Sequence, residues 1–366
     1  MASAKSLEMD RTLILGHSLI FSSSGIVSVT MTSSMFKALV VTETDSQFVR
    51  QILDRHPDEL PPGDVLVKVY YSSLNYKDAL SATGNKGVTR RFPHVPGVDV
   101  SGIVEESIVD DFKPGDKVII TGNDLGSNTD GGYSDYVRVP ATWIVKLPAS
   151  LSLRESMILG TAGYTAGLSV HKLLYHGVTP EKGPVLVTGA TGGVGCIAVA
   201  ILAKLGFQVM AVTGKAGAKQ FLLDLGAKEI LAREQALDRT NRGLVAGRWA
   251  GVVDTVGGEL LDSAIRQTKL EGAVASCGNV TSGELRTSIY PFILRGVALL
   301  GINSAFTPMN VRLLIWKKLA TDWKLDLLDR IAREVSLEEL DPYFDAILKG
   351  AVKGRVVVRI ATATHR

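Results

Sequence analysis

An α/β protein in two parts is predicted, a β-rich half followed by a parallel sheet interleaved with helices. Two observations carry that prediction. Between residues 35 and 147, short β-prone runs are separated by Gly, Pro and Asp turns. From residue 184 to 302, short continuous apolar runs alternate with helical stretches, as strands buried on both faces and joined by right-handed crossovers do. The length, 366 residues, suits about two domains.

In the first half the strands are 65–71 (VLVKVYY), 102–105 (GIVE), 117–121 (KVIIT) and 136–139 (YVRV). The turn Lys113-Pro114-Gly115-Asp116 leads into the third, with Pro fixing φ and Gly supplying the bend. A helix over 153–176 follows. The alternation then runs through a strand at 184–189, a helix at 194–205, a strand at 208–212, a helix at 219–225 and a strand at 229–231. It continues with a strand at 251–256, a helix at 260–267 and strands at 273–276 and 296–302. The tail, 307–360, reads as helix and then a strand, 355–360 (RVVVRI), placed to rejoin the β-rich half. Residues 1–34 form an N-terminal extension unlike the rest, serine-rich and weakly apolar. They read as disordered or as preceding the true start at Met31 or Met35, and a targeting peptide is the alternative.

Composition narrows the function. Forty Lys and Arg against 37 Asp and Glu give a net charge of +3, with no polyelectrolyte character that would argue for nucleic acid. The hydrophobic share, 46%, is that of a chain able to bury a core. Only Cys196 and Cys277 occur, which excludes a disulfide framework and a four-cysteine zinc site. No apolar run approaches the roughly 20 residues of a membrane-spanning helix. A cytoplasmic protein is expected.

The run Gly189-Ala190-Thr191-Gly192-Gly193-Val194-Gly195 lies between a predicted strand and a predicted helix. A chain that must turn sharply, approach a pyrophosphate and pack a helix on a sheet needs residues without side chains there, and the helix N-terminus offers free N–H groups. A glycine-rich turn that binds nothing is the competing reading. The next strand bears on which dinucleotide fits. An NAD site places an acidic residue about 20 residues on, against the ribose 2′-hydroxyl. Here the strand gives Thr213-Gly214-Lys215. A hydroxyl, a free amide and an ammonium attract the extra phosphate of NADPH, which a carboxylate would repel. Arg233 adds a second positive group on the adenosine side, unless it is simply a surface arginine.

The strings 73–80 (SLNYKDAL), 96–102 (PGVDVSG), 160–166 (GTAGYTA), 291–297 (PFILRGV) and the glycine loop together resemble the medium-chain dehydrogenase/reductase superfamily. The similarity covers nearly all of 35–360 and is strongest to its zinc-free, quinone-oxidoreductase-like branch, in particular the NADPH-dependent acryloyl-CoA reductases. The resemblance implies a GroES-like β-rich catalytic domain (35–157 and 303–360) wrapped around a Rossmann domain (158–302), a doubly wound parallel sheet that binds NADPH. It also implies a homodimer through the strand at 296–302. Zinc members carry a catalytic Cys near position 76, a His-Glu pair after the Pro-Gly turn and a four-Cys lobe. Here Tyr76, Val98 and Asp99 stand at the ligand positions and no lobe is present, so no metal is expected.

Carried over residue by residue, the resemblance puts Thr191, Gly192, Gly193 and Val194 on the pyrophosphate. Thr213, Gly214 and Lys215 fall on the 2′-phosphate and Arg233 on the adenosine end. Asn279, Ile293 and Ser304 surround the nicotinamide half. Tyr76 lies over the nicotinamide and is the catalytic candidate, donating its phenolic hydrogen to a developing enolate; an aromatic wall without chemistry is its alternative role. Arg90 and Arg91 either meet CoA phosphates or form a solvated turn. The reaction expected is reduction of acryloyl-CoA to propanoyl-CoA. A quinone or another α,β-unsaturated carbonyl is the alternative substrate, and a catalytically silent NADPH-binding protein is the alternative of another class.

Overall fold

In the computed structural model, residues 35–45, 47–240 and 242–361 are described, together with β1 (Ile20–Ser22) and β2 (Gly25–Val27), which pair antiparallel. The reading of residues 1–34 as an extension otherwise falls outside the described residues. Strands β3 (Phe36–Thr44) and β4 (Gln47–Arg55) form a hairpin in continuous register from Phe36↔Arg55 to Thr44↔Gln47. The sequence reading missed β4 because its partly buried positions alternate with Gln47, Gln51 and other exposed residues, so no apolar run marks it.

The β-rich half continues with β5 (Val65–Ser73), helix α1 (Tyr76–Ala82), β6 (Asp99–Ser107), β7 (Lys117–Thr121), β8 (Tyr136–Val139) and β9 (Ile144–Lys146). Helix α2 (Leu153–Tyr175) then leads into the second half. There β10 (Val185–Val187), α3 (Gly193–Lys204), β11 (Val209–Val212), α4 (Lys219–Asp224), β12 (Glu229–Leu231) and α5 (Arg233–Ala236) come first. They are followed by β13 (Trp249–Asp254), α6 (Gly258–Arg266), β14 (Thr268–Ser276), α7 (Tyr290–Arg295) and β15 (Ala298–Gly301). The tail comprises α8 (Met309–Ala320), α9 (Leu328–Ile331), β16 (Ala332–Ser336), α10 (Asp341–Leu348) and β17 (Arg355–Arg359).

All six strands of the second half are parallel, in the order β12-β11-β10-β13-β14-β15. Counted along the sheet's own strands this is 3-2-1-4-5-6, the doubly wound Rossmann order, which opens a crevice where β10 and β13 send their helices to opposite faces. The fully buried triplet Val185, Leu186 and Val187 shows why this strand reads as a continuous apolar run. In the other sheet the order is β16-β17-β5-β6-β7-β9, with β8 also on β5. The last strand therefore does rejoin the β-rich half, pairing antiparallel with β5 through Val357↔Ser73 and Val358↔Ser72.

The two sheets share one interior. Ile119 of β7, Val145 of β9, Val357 of β17 and the buried face of α3 belong to the same apolar cluster, bridged by Met157, Ile158 and Leu159 of α2. Each such fully buried aliphatic side chain contributes about 1.5–3 kcal/mol. Arg312 of α8 fastens the crossover from β15 back to the β-rich half. Its buried guanidinium donates to the carbonyls of Thr121 (2.8 Å), Ser304 (3.1 Å) and Ala305 (2.9 Å).

Candidate active site

The carboxyl ends of β10 and β13 are tied together at the crevice. Thr188 donates its hydroxyl to Asp254 Oδ1 (2.7 Å), and the other Asp254 oxygen accepts the Gly257 N–H (3.0 Å). Asp254 thus orders a strand end. Beside it the glycine loop turns at Gly189, where φ is +57° and a Cβ would come within 2.3 Å of Thr255 Oγ1. A Cβ on Gly195 would lie 2.4 Å from the Gly189 carbonyl oxygen, so helix α3 can approach the loop only through glycine. Gly192 caps α3 without a side-chain bond. The first N–H groups of a 12-residue helix consequently face the crevice without intrahelical partners, an arrangement suited to a pyrophosphate.

At the tip of β11 the structure brings five of the predicted residues together, Thr191, Thr213, Gly214, Lys215 and Arg233. Thr213 Oγ1 accepts the Lys215 N–H (3.1 Å) and stands 3.4 Å from Thr191 Oγ1. Arg233, at the start of α5, lies over Gly214, whose Cβ would be 2.9 Å from the Arg233 Nε. Lys215 is half-buried and donates its ammonium to the Val352 carbonyl, across the crevice. The nicotinamide-side candidates come from separate elements. Asn279 is exposed beside Gly257, and Ser304 follows β15, its carbonyl held by Arg312. Ile293 is 64% exposed on α7.

Tyr76, half-buried, is the first residue of α1. The helix starts there because Asn75 stands at its N-cap and donates its backbone N–H to Asp78 Oδ2 (2.8 Å). The Asn-x-x-Asp spacing is a readable helix-start signal that the sequence reading passed over. Beneath Tyr76 lies a buried polar network that sequence reasoning also missed. Asp99 Oδ2 accepts from Ser73 Oγ (2.6 Å), Asn75 Nδ2 (2.8 Å) and the Thr161 N–H (2.9 Å), and Oδ1 accepts the Thr161 hydroxyl (2.6 Å). Arg355 Nη2 is 3.8 Å from Asp99 and donates to Ser73 Oγ (2.7 Å), while Nη1 donates to the Leu74 carbonyl (3.0 Å). A Cβ on Gly193 would lie 3.0 Å from the same Nη1, so Arg355 joins the Tyr76 helix to the glycine loop.

Asp78 adds a second carboxylate to this buried cluster. It accepts the Val98 N–H (2.8 Å) and the Tyr133 hydroxyl (3.2 Å). Burial, with the nearby charge of Asp99, pushes its pKa up to about 7. Among the described residues no group of three His, Cys, Asp or Glu is placed to hold a metal ion. Asp99 spends its oxygens on the network.

A Rossmann sheet with a glycine loop, joined to a β-rich unit made from both ends of the chain, defines a class of oxidoreductases. Residues 61–149 match the alcohol dehydrogenase GroES-like domain and residues 193–315 the zinc-binding dehydrogenase domain. The chain belongs to the medium-chain dehydrogenase/reductase family. Within it the chain falls in the quinone-oxidoreductase-like group that includes acrylyl-CoA reductases. It is 45% identical to the acrylyl-CoA reductase AcuI of Ruegeria pomeroyi, over 89% of this chain and 99% of that one. Identity to the putative quinone oxidoreductase YhfP of Bacillus subtilis is also 45%, over 90% of this chain and 100% of the relative, and the structure of YhfP with NAD bound superposes with a TM-score of 0.87. The yhdH oxidoreductase of Salmonella enterica in complex with NADP gives a TM-score of 0.87 at 42% identity, covering 89% of this chain and 100% of that one.

Proposed function

We propose that this chain is an NADPH-dependent reductase of an activated C=C bond, converting acryloyl-CoA to propanoyl-CoA. The observation that carries the reading is the tip of β11, where Thr213, Gly214 and Lys215 stand in place of a ribose-binding carboxylate. Similarity to AcuI supports the substrate, and similarity to the NADP complex of yhdH supports the coenzyme. YhfP carries NAD in its structure, so the preference is to be read from an affinity ratio rather than from the fold.

When bound, the nicotinamide supplies a hydride to the β-carbon of the thioester. The protein's share is placement and charge. Thr191, Gly192, Gly193 and Val194 hold the pyrophosphate, and Thr213, Gly214 and Lys215 hold the 2′-phosphate. Arg233 covers the adenosine, and Asn279, Ile293 and Ser304 flank the nicotinamide half. The Tyr76 hydroxyl donates to the substrate carbonyl oxygen, where negative charge develops, and Tyr76 or water protonates the α-carbon. The Asp99–Arg355 network fixes Asn75 and hence the start of the Tyr76 helix. Catalysis proceeds in this reading without zinc.

Residues 35–157 with 303–360 form the catalytic unit and 158–302 the dinucleotide unit. The edge strand β15 and the exposed apolar side chains of Ile289, Leu294 and Leu299 form the face of a homodimer. Two free cysteines suit a cytoplasmic setting. Quinone reduction is the second reading, favoured by the likeness to YhfP. NADPH oxidation followed with acryloyl-CoA, crotonyl-CoA and a benzoquinone in parallel separates them. Turnover with the acryloyl thioester supports the proposal, and turnover with the quinone alone supports the second reading. Tight NADPH binding with no turnover marks a silent binding protein.

A further inference from the structure

Two lysines cross the crevice in opposite directions at one level. Lys215, after β11, donates its ammonium to the Val352 carbonyl, ahead of β17. Lys353, the next residue, places its ammonium 5.0 Å from the ring centroid of Phe221 on α4. The residue after that, Gly354, donates its N–H to the Thr191 carbonyl in the glycine loop (2.9 Å). Segment 352–354 therefore lies along the flank of the dinucleotide crevice, with its two contacts falling on either side of Lys353.

Neither ammonium forms an ion pair with a carboxylate among the described residues. Burial and the nearby charge of Lys353 both lower the pKa of Lys215. Like charges held close repel, and a dianion set between them converts that repulsion into two charge-assisted contacts. Lys353 is exposed and rests its ammonium over an aromatic face, so its four-carbon stem can swing toward such a group. We infer that Lys353 is a second cation for the 2′-phosphate of NADPH, supplied by the β-rich domain opposite Lys215. This rests on the coenzyme reading proposed above.

Calorimetric titration of NADP+, NAD+ and 2′,5′-ADP into the full chain and its Lys353→Gln variant tests the inference. Lys349→Gln, on the same stretch, controls for net charge. The expected result is that Lys353→Gln weakens NADP+ and 2′,5′-ADP about tenfold, as loss of one charge-assisted contact does, and leaves NAD+ unchanged. Lys349→Gln should leave all three unchanged. If the unaltered chain prefers NADP+ and Lys353→Gln weakens neither ligand, or weakens NADP+ and NAD+ by the same factor, the inference falls and the coenzyme reading stands. Equal affinity of the unaltered chain for NADP+ and NAD+ overturns both.

Discussion

Asp99 caps the broken end of a helix: Thr161 donates its N–H to both Asp99 oxygens, at 3.0 and 2.9 Å. The break is at Gly160, where φ is +51° and ψ is −154° inside α2. A Cβ there would lie 2.4 Å from Asp99 Oδ2 and 2.7 Å from Ser73 Oγ. Gly160→Ala therefore both strains the backbone and displaces a buried carboxylate from its donors. A loss of at least about 2 kcal/mol is expected in urea denaturation, together with weaker activity because Asn75 loses its anchor. An unfolding midpoint equal to that of the unaltered protein would contradict this account of the kink.

Buried Asp78 sets a pH dependence with a defined sign. Asp78, ordinarily near 3.8, titrates near 7 in the folded chain. The folded state therefore holds a proton that the unfolded state has released between those values. Stability from this group is full below about 3.8, declines as pH rises, and is gone above about 7. Asp78→Asn cannot titrate. Denaturation midpoints at pH 5 and pH 8 should show the unaltered protein losing ground to Asp78→Asn on the alkaline side. A constant difference between the two proteins would place the Asp78 pKa at its ordinary value.

Tyr76 separates chemistry from packing in one substitution. Tyr76→Phe keeps the ring and removes the donor. Turnover with acryloyl-CoA should fall by about 10²-fold, in the range of a lost general acid, with the NADPH affinity little changed. Unaltered turnover would leave the residue an aromatic wall.

The proposed dimer face is tested by charge. Leu299, 39% exposed on the edge strand β15, becomes directly opposed to its counterpart's strand if two sheets join there. Leu299→Lys should convert a dimer to a monomer in sedimentation velocity. A monomer in the unaltered protein would remove the proposal.

Legibility followed locality. The Rossmann strands showed in the sequence because Val185–Val187 and its neighbours are apolar runs closed by glycine turns within a few residues. The β11 tip was equally readable, since Thr213, Gly214 and Lys215 are consecutive. The floor under Tyr76 was not, because Ser73, Asp99, Thr161 and Arg355 meet only when β5, β6, α2 and β17 assemble. In the string RVVVR, Arg355 looks like a solvent-facing strand residue, yet its guanidinium is buried. Lys215 shows the same limit: its partner is a backbone carbonyl 137 residues away, which no motif marks. Helix α7 was missed because it is short and opens on a proline-containing turn that reads as loop.

Isotope transfer tests the central claim most directly. Acryloyl-CoA is incubated with NADPH deuterated at nicotinamide C4, in ordinary water with a chelator present, and the propanoyl-CoA is analysed by mass spectrometry and NMR. One deuterium at the β-carbon and a solvent proton at the α-carbon are predicted. Deuterium at the α-carbon, or product that forms only when zinc is restored, would contradict the account.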